Sequence, residues 1–433
     1  MSRNFVLKFF KADSLPREWY NRKFPKSDSL EKQVEAIIET VKEKGDDALI
    51  NFTEKFDKIS ISREKLRVSS KEIEDAYRKV SCEQLSALKS IKERIETTEK
   101  ILLEKLRGIE INQNGIRIKI TTKPIESVGC YVPGGRAAYP STLVMAATPA
   151  RLAGVPRVVV CSPPKTDGSV NPLTLVAADI CGVDEFYRVG GAQAIAALTY
   201  GTETIKPVLK IVGPGNKYVT VAKRLVSKVV AVDMPAGPSE LLILADETAN
   251  PKLIALDMSA QAEHGPDSVV GLITTSEKIA YEVMRELSRI AFSASRRDTV
   301  TRALANNGFI VLCSSLDEMI RLANEIAPEH VEILTENPEE LAGKISTAGL
   351  VLLGQYSPAS LSDYLAGTNH ILPTGGFGKV FSGLSVLDFM RRFALLECSP
   401  DGLIKTLEPI RVLAEAEGLP NHYLAIKGRF ENE

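Results

Sequence analysis

From residue 116 to residue 353 the chain alternates short β-branched runs with helical segments of about 10–15 residues, and this rhythm restricts it to parallel α/β architectures. The runs are Ile116–Thr121, Arg157–Cys161, Glu185–Val189, Lys210–Val212, Val229–Asp233, Glu240–Leu244, Val269–Thr274, Phe309–Cys313, Val331–Leu334 and Leu350–Leu353. They are too many for one compact sheet. The chain has 433 residues, which also favours more than one domain. Two α/β domains are therefore expected.

The region before the alternation reads as helix. Asp28 and Glu31 fit a capping box, and Leu30, Val34, Ile37, Ile38 and Val41 recur at helical spacing. Gly45 ends that helix and Asp46 caps the next. Glu83 to Lys105 forms a third, with Glu and Lys on its outer face. At the other end, Leu403 to Phe430 reads as helix followed by a short tail.

Charge excludes some functions. Lys and Arg total 54 against 55 Asp and Glu, a balance that offers nothing to nucleic acid or an anionic membrane. The opening Met1–Lys11 lacks the apolar run of a signal peptide. No stretch approaches the roughly 20 apolar residues of a membrane span. The six cysteines are scattered without a CxxC pair, which reads as free thiols in a reducing cytoplasm.

Chemistry concentrates around the four histidines, His264, His330, His370 and His422. Gln261 and His264 lie three apart at the end of a helical run, so both can face one centre. Imidazole is a good zinc ligand and an amide oxygen a rarer one. Asp363 and His422 are candidates to complete a four-ligand site, although spacing does not show that they converge. Glu329 and His330 stand at the mouth of a strand, a carboxylate and an imidazole placed for proton transfer.

Glycine turns mark a second kind of site. Gly213-Pro-Gly-Asn-Lys-Tyr218 follows a strand and opens a helix, where backbone N–H groups favour phosphate. Asp233 ends the next strand, near where an acid for a ribose is sought. The third glycine of the dinucleotide fingerprint is absent, with Tyr218 in its place, so a plain strand-to-helix turn explains the segment equally well. Gly134-Gly135 and Gly190-Gly191 each follow a strand and leave room for a ligand. Ser239, in the rigid loop 233–240, is a candidate ligand contact.

Taken together these segments resemble the histidinol dehydrogenase family. The resemblance rests on Tyr131-Val-Pro-Gly-Gly135, Val189-Gly-Gly-Ala-Gln-Ala194, Gly213-Pro-Gly-Asn216, Asp233-Met-Pro-Ala-Gly-Pro-Ser-Glu240, Gln261-Ala-Glu-His-Gly-Pro-Asp-Ser268, Pro328-Glu-His330 and Gly367-Thr-Asn-His-Ile-Leu-Pro-Thr374, in the family's order. It implies two incomplete Rossmann-like α/β domains with a helical N-terminal region and a small helical C-terminal domain. The implied layout is an extension at 1–27, a main domain from 28–129 plus 239–383, an NAD domain at 130–238 and a dimerisation tail at 384–433.

The resemblance also implies chemistry: a zinc- and NAD-dependent oxidation of L-histidinol through L-histidinal to L-histidine, in a cytoplasmic homodimer. Gln261, His264, Asp363 and His422 match the zinc ligands, with His422 entering the site of the partner subunit. Glu329 and His330 match the catalytic acid–base pair. Tyr131, Gln193 and Asn216 match NAD contacts. Ser239 and Glu417 match substrate contacts, together with His330 and the zinc ligands. His370 is expected to play a supporting part. Rival readings are a zinc- and NAD-dependent relative acting on another small alcohol or diol, a zinc hydrolase using Glu329, and a non-catalytic zinc-binding protein.

Overall fold

The computed structural model describes residues 7–20, 28–105, 108–134 and 138–430. Gly135, the second glycine of its pair, lies outside them. Mixed α/β architecture with two parallel sheets is present as expected.

The five-stranded sheet is built from Ser127–Tyr131, Arg157–Cys161, Glu185–Tyr187, Lys210–Val212 and Ala231–Val232. Numbered along the chain, these strands lie in the order three, two, one, four, five, all parallel. This is the dinucleotide-binding order without its sixth strand. The order reverses between Ser127–Tyr131 and Lys210–Val212, so a crevice opens at their carboxyl ends. Helix Pro140–Ala153 connects the first two strands and is buried on nearly every side from Thr142 to Ala150. Its near-continuous apolar sequence follows from that position, between the sheet and helix Cys82–Lys105.

The long helices between residues 28 and 105 pack on the helices of this sheet, whereas the short turns Ala12–Ser14 and Arg17–Trp19 pack on the other sheet. Asp28–Asp57 lies along Gly191–Tyr200 and Lys217–Val226, and Cys82–Lys105 lies along Pro140–Ala153. An amphipathic stripe records that a helix is covered, not which sheet covers it. Gly45 interrupts the first helix as expected, with φ 51° and ψ −128°.

The six-stranded sheet runs Lys8–Lys11, Gly308–Leu312, Val269–Thr274, Glu240–Ala245, His330–Leu334, Leu350–Leu353, again all parallel. From Glu240 onward its strands repeat the three-two-one-four-five order. The segment expected as a separate extension supplies the edge strand Lys8–Lys11. With lysine at both ends and only four residues, that strand has no readable alternation.

A third, antiparallel sheet pairs Met390–Cys398 with Ile116–Pro124, which pairs in turn with Glu110–Gln113. The tail expected to be helical thus carries, after the short turn Val386–Phe389, a nine-residue strand. Pro400–Ile404, Leu407–Ala416 and Pro420–Lys427 follow as helices. This arm leaves Leu395, Leu396, Leu413 and Leu424 more than half exposed.

Candidate active site

The proton-transfer pair sits at the amino ends of the six-stranded sheet. Helix Leu316–Ile326 stops at Ala327, whose left-handed backbone (φ 48°) is unusual for a residue with a Cβ. That turn and Pro328 deliver Glu329 to the sheet edge and His330 to the first position of its strand. Both side chains are buried. Glu329 accepts the backbone N–H of Glu240 at 2.8 Å. The Glu240 carboxylate in turn accepts the N–H groups of Glu329 at 3.3 Å and Gly375 at 3.0 Å.

His330 Nδ1 lies 3.3 Å from the carbonyl oxygen of Glu240 and 3.7 Å from the Glu329 carboxylate. The shorter contact makes Nδ1 the protonated nitrogen, since a carbonyl only accepts. Nε2 then carries a lone pair, and it is buried without a partner among the described residues. Burial lowers the pKa of His330 to about 4, against smaller opposing effects such as the Asp363 charge. Burial likewise holds the Glu329 carboxyl well above its ordinary range, and the charges of Glu240 and Asp363 push the same way.

Beside the pair, helix Pro251–Ala262 and the turn Ala359–Ser362 form a small cleft lined by Gln261, His264, Asp363 and Tyr364, with Asp257 and Glu263. His264 Nε2 is 3.8 Å from Asp363 Oδ2, beyond a hydrogen bond but within the span of two ligands sharing one ion. His264 Nδ1 is 3.4 Å from Ser239 Oγ. Gln261 is buried, and its amide nitrogen has no partner among the described residues. An amide can be turned to aim its oxygen instead. The donor set and this orphaned amide fit a zinc ion held by part of its ligands. Glu417 and His422, on the exposed C-terminal helices, do not line the cleft. Among the described residues no three His, Cys, Asp or Glu side chains converge as metal ligands.

Behind the cleft stand supports, of which His370 was expected and Glu332 and Asp257 carried no signal in the sequence. His370 bridges the Asp363 carbonyl at 2.9 Å and the Thr142 hydroxyl at 3.1 Å, tying Asp363 to a helix of the other sheet. Glu332 lies two residues beyond His330, hence on the same face of the sheet. One of its oxygens accepts the N–H of Ala359 at 2.6 Å. Its carboxyl is also hydrogen-bonded to that of Asp257, one helical turn before Gln261. Two acids can bond only by sharing a proton, and burial raises the pKa of both. Helix, strand and turn, which carry Gln261 and His264, His330, and Asp363, meet at this pair.

Residues matched to NAD gather at the carboxyl ends of the five-stranded sheet. Tyr131 ends the central strand, and its hydroxyl accepts the N–H of Gly191 at 3.1 Å. Gln193 is buried with its amide oxygen unpartnered among the described residues. The Asn216 amide oxygen caps helix Lys217–Val226, accepting the N–H groups of Tyr218 and Val219. A Cβ on Gly213 would stand 2.1 Å from the Tyr131 carbonyl, so backbone approach at the switch point requires glycine. These open turns and the orphaned amide fit a nucleotide.

Asp233 is not a ribose acid. It is buried, ion-paired with Lys223, and accepts the N–H of Gly213 at 2.7 Å. Its carboxylate is spent on holding the turn. The loop it opens runs from the carboxyl edge of the five-stranded sheet into the amino edge of the six-stranded one. It is pinned there where Gly237 N–H donates to Thr374 at 2.6 Å.

Two sheets of nucleotide-domain order, with a buried Glu–His pair beside an N/O ligand cleft, define an α/β enzyme built for proton transfer. The model of the histidinol dehydrogenase family matches residues 20–430. The histidinol dehydrogenase of Methanocaldococcus jannaschii is 47% identical over 91% of this chain and 91% of its own. That of Clostridium acetobutylicum is 44% identical over 98% and 99%. The crystal structure of the Elizabethkingia anophelis histidinol dehydrogenase superposes with a TM-score of 0.93 at 37% identity, covering 100% of this chain and 99% of that one. The chain belongs to the histidinol dehydrogenase family and is an oxidoreductase.

Proposed function

We propose that the protein oxidises L-histidinol through L-histidinal to L-histidine, the last steps of histidine biosynthesis, using two NAD⁺ and one zinc ion. The observation that carries this reading is the orphaned Nε2 of a neutral, buried His330 beside the Gln261–His264–Asp363 cleft. NAD⁺ would supply the hydride acceptor, held by Tyr131, Gln193 and Asn216. Zinc would supply charge that fixes the orientation of an imidazole and amine substrate, held by Gln261, His264 and Asp363.

The chain's own groups account for the proton steps. Nε2 of His330 accepts the alcohol proton, while the Glu240 carbonyl keeps the opposite nitrogen protonated. Glu329, once ionised, takes a proton from the water that adds to the aldehyde. A second removal of hydride from the hydrate gives the acid. Ser239, beside His264, borders the position of the substrate amine and imidazole.

The site is completed in a cytoplasmic homodimer, where the partner subunit's Glu417 and the partner subunit's His422 meet substrate and metal. The exposed leucines of the C-terminal arm support this reading, since a two-fold contact would cover them reciprocally. So do cysteines that are all free. No described helix is long and apolar enough to cross a membrane.

A substrate panel followed by NADH absorbance tests the reading. Histidinol is expected to give about two NADH per molecule, following from alcohol-to-acid oxidation. One NADH with aldehyde accumulating, or a preference for another alcohol or diol, would refute it.

A further inference from the structure

In a sheet of this order the adenosine half of a dinucleotide lies over the carboxyl ends of the first strands, and an acid near the end of the second takes the ribose hydroxyls. The second strand, Arg157–Cys161, is followed by Ser162-Pro163-Pro164, with no acid. Asp167, further along, already accepts the N–H and hydroxyl of Ser169 at 2.9 and 2.6 Å. Asp233 stands just past the fifth strand, locked to Lys223.

Glu72 is ion-paired with Arg188, just past the third strand, and one more acid, on the first long helix, reaches this edge. Helix Asp28–Asp57 runs along Gly191–Tyr200, with Asp46 accepting the N–H of Thr204 at 3.3 Å, just past the carboxyl end of that helix. Eleven residues on, about 16 Å at helical rise, Asp57 arrives at the opposite end, where Gly191 lies. Its charge acts on the buried Tyr131, whose hydroxyl is bonded to Gly191. Ile59 then packs against Gly168, in the loop after the second strand.

Asp57 Oδ2 is buried without a hydrogen-bond partner among the described residues. The residue also closes a helix, where the backbone dipole disfavours an anion. Burial pushes its carboxyl up to about 6, which still leaves it ionised near pH 7.5. Among the described residues no hydrogen bond to Oδ2 offsets these costs, which is the mark of a group kept for a ligand.

We infer that Asp57 receives the adenosine ribose of NAD, its carboxylate accepting hydrogen bonds from the 2′- and 3′-hydroxyls, and that it turns away a 2′-phosphate. The inference rests on the NAD reading above. It makes Asp57 the residue that selects NAD over NADP.

The test is calorimetric binding of ADP-ribose and of 2′-phospho-ADP-ribose to the full-length protein, neither of which involves turnover. The wild type is expected to bind ADP-ribose and reject the phosphorylated form. Asp57→Asn and Asp57→Ser should each weaken ADP-ribose by about 10- to 100-fold, the range for losing hydrogen bonds to a charged acceptor. They should also narrow the preference between the ligands, while the free protein melts no lower than the wild type. Variants that bind and discriminate like the wild type would overturn the role of Asp57 and leave the NAD reading intact. A wild type that binds neither ligand would overturn both.

Discussion

A buried histidine that stays neutral makes a measurable claim about His330. Its pKa is lowered from 6.5 to about 4 by desolvation. The unfolded chain would take up a proton at that residue below about pH 6.5, and the folded chain refuses it until about pH 4. The stability associated with His330 is therefore lost as pH falls through that window. A displacement of roughly 2.5 units, at about 1.36 kcal/mol each, makes the loss about 3 kcal/mol. Replacing His330 with Gln keeps an amide near Glu240 and removes the titration. With only four histidines, carbon-labelled imidazole gives four ring signals, and the one missing from His330→Gln belongs to His330. That signal should hold its neutral position from about pH 8 to about pH 5. Over the same range, denaturant unfolding should show wild-type stability falling relative to His330→Gln. A titration midpoint near 6.5, or parallel stability curves, would refute both the neutral imidazole and its assignment as the base.

Three further outcomes follow from the same geometry. His330→Ala should slow turnover by about 10²–10⁴-fold with zinc retained, as for loss of a general base, whereas His264→Ala should release the metal; equal metal loss in both would defeat the division of roles. Glu332→Gln keeps an acceptor for Ala359 and a donor for Asp257, so it should stay within about tenfold of wild type, while Glu332→Leu leaves Ala359 N–H unpaired at a cost of about 1–3 kcal/mol and should raise KM; thermal melts with kinetics decide, and equal behaviour of the two would show that the shared proton holds nothing. Mixing His422→Ala with the double variant Glu329→Ala/His330→Ala should restore roughly a quarter of wild-type activity, because about half the dimers are mixed and each has one whole site of two; activity near zero would place His422 in its own subunit's site.

Most of the parallel strands could be read before the structure, because β-branched runs bounded by turn residues carry a local signal. Ser127–Tyr131 could not, although it is the centre of the five-stranded sheet, since Gly129 and its short length dilute the pattern. Met390–Cys398 escaped because Arg391, Arg392 and Glu397 make an exposed strand look like loop. Gln261 with His264, and Glu329 with His330, were visible as close pairs. Asp233 was misread: its place after a strand suggested a ribose, and only packing reveals Lys223 beneath it. Asp57, Asp257 and Glu332 carry no motif at all. What singles them out is burial without a countercharge, a property of tertiary structure that no spacing encodes.

The two parallel sheets share a strand order, but the sites proposed on them lie at opposite edges. At the carboxyl edge of the six-stranded sheet, where a ligand crevice is conventional, Asp246 is already committed. It accepts the N–H of Thr248 at 2.9 Å and that of Glu336 at 2.8 Å, linking the strands on either side of the switch point. The Glu329–His330 pair and the Gln261–His264–Asp363 cleft stand instead at the amino edge, which the seven residues Asp233–Ser239 reach directly from the carboxyl edge of the other sheet. That edge gathers Glu240, Glu329 and Asp363, three carboxyls whose charges oppose one another. Buried carboxylates in such company either keep protons or acquire a cation. Burial and the charges of Glu240 and Asp363 all favour the protonated Glu329 carboxyl, and a positive charge held beside Asp363 would oppose them. On this account a cation in the cleft does more than grip a substrate. By opposing those charges it would lower the pKa of Glu329, the residue proposed above as the base for aldehyde hydration.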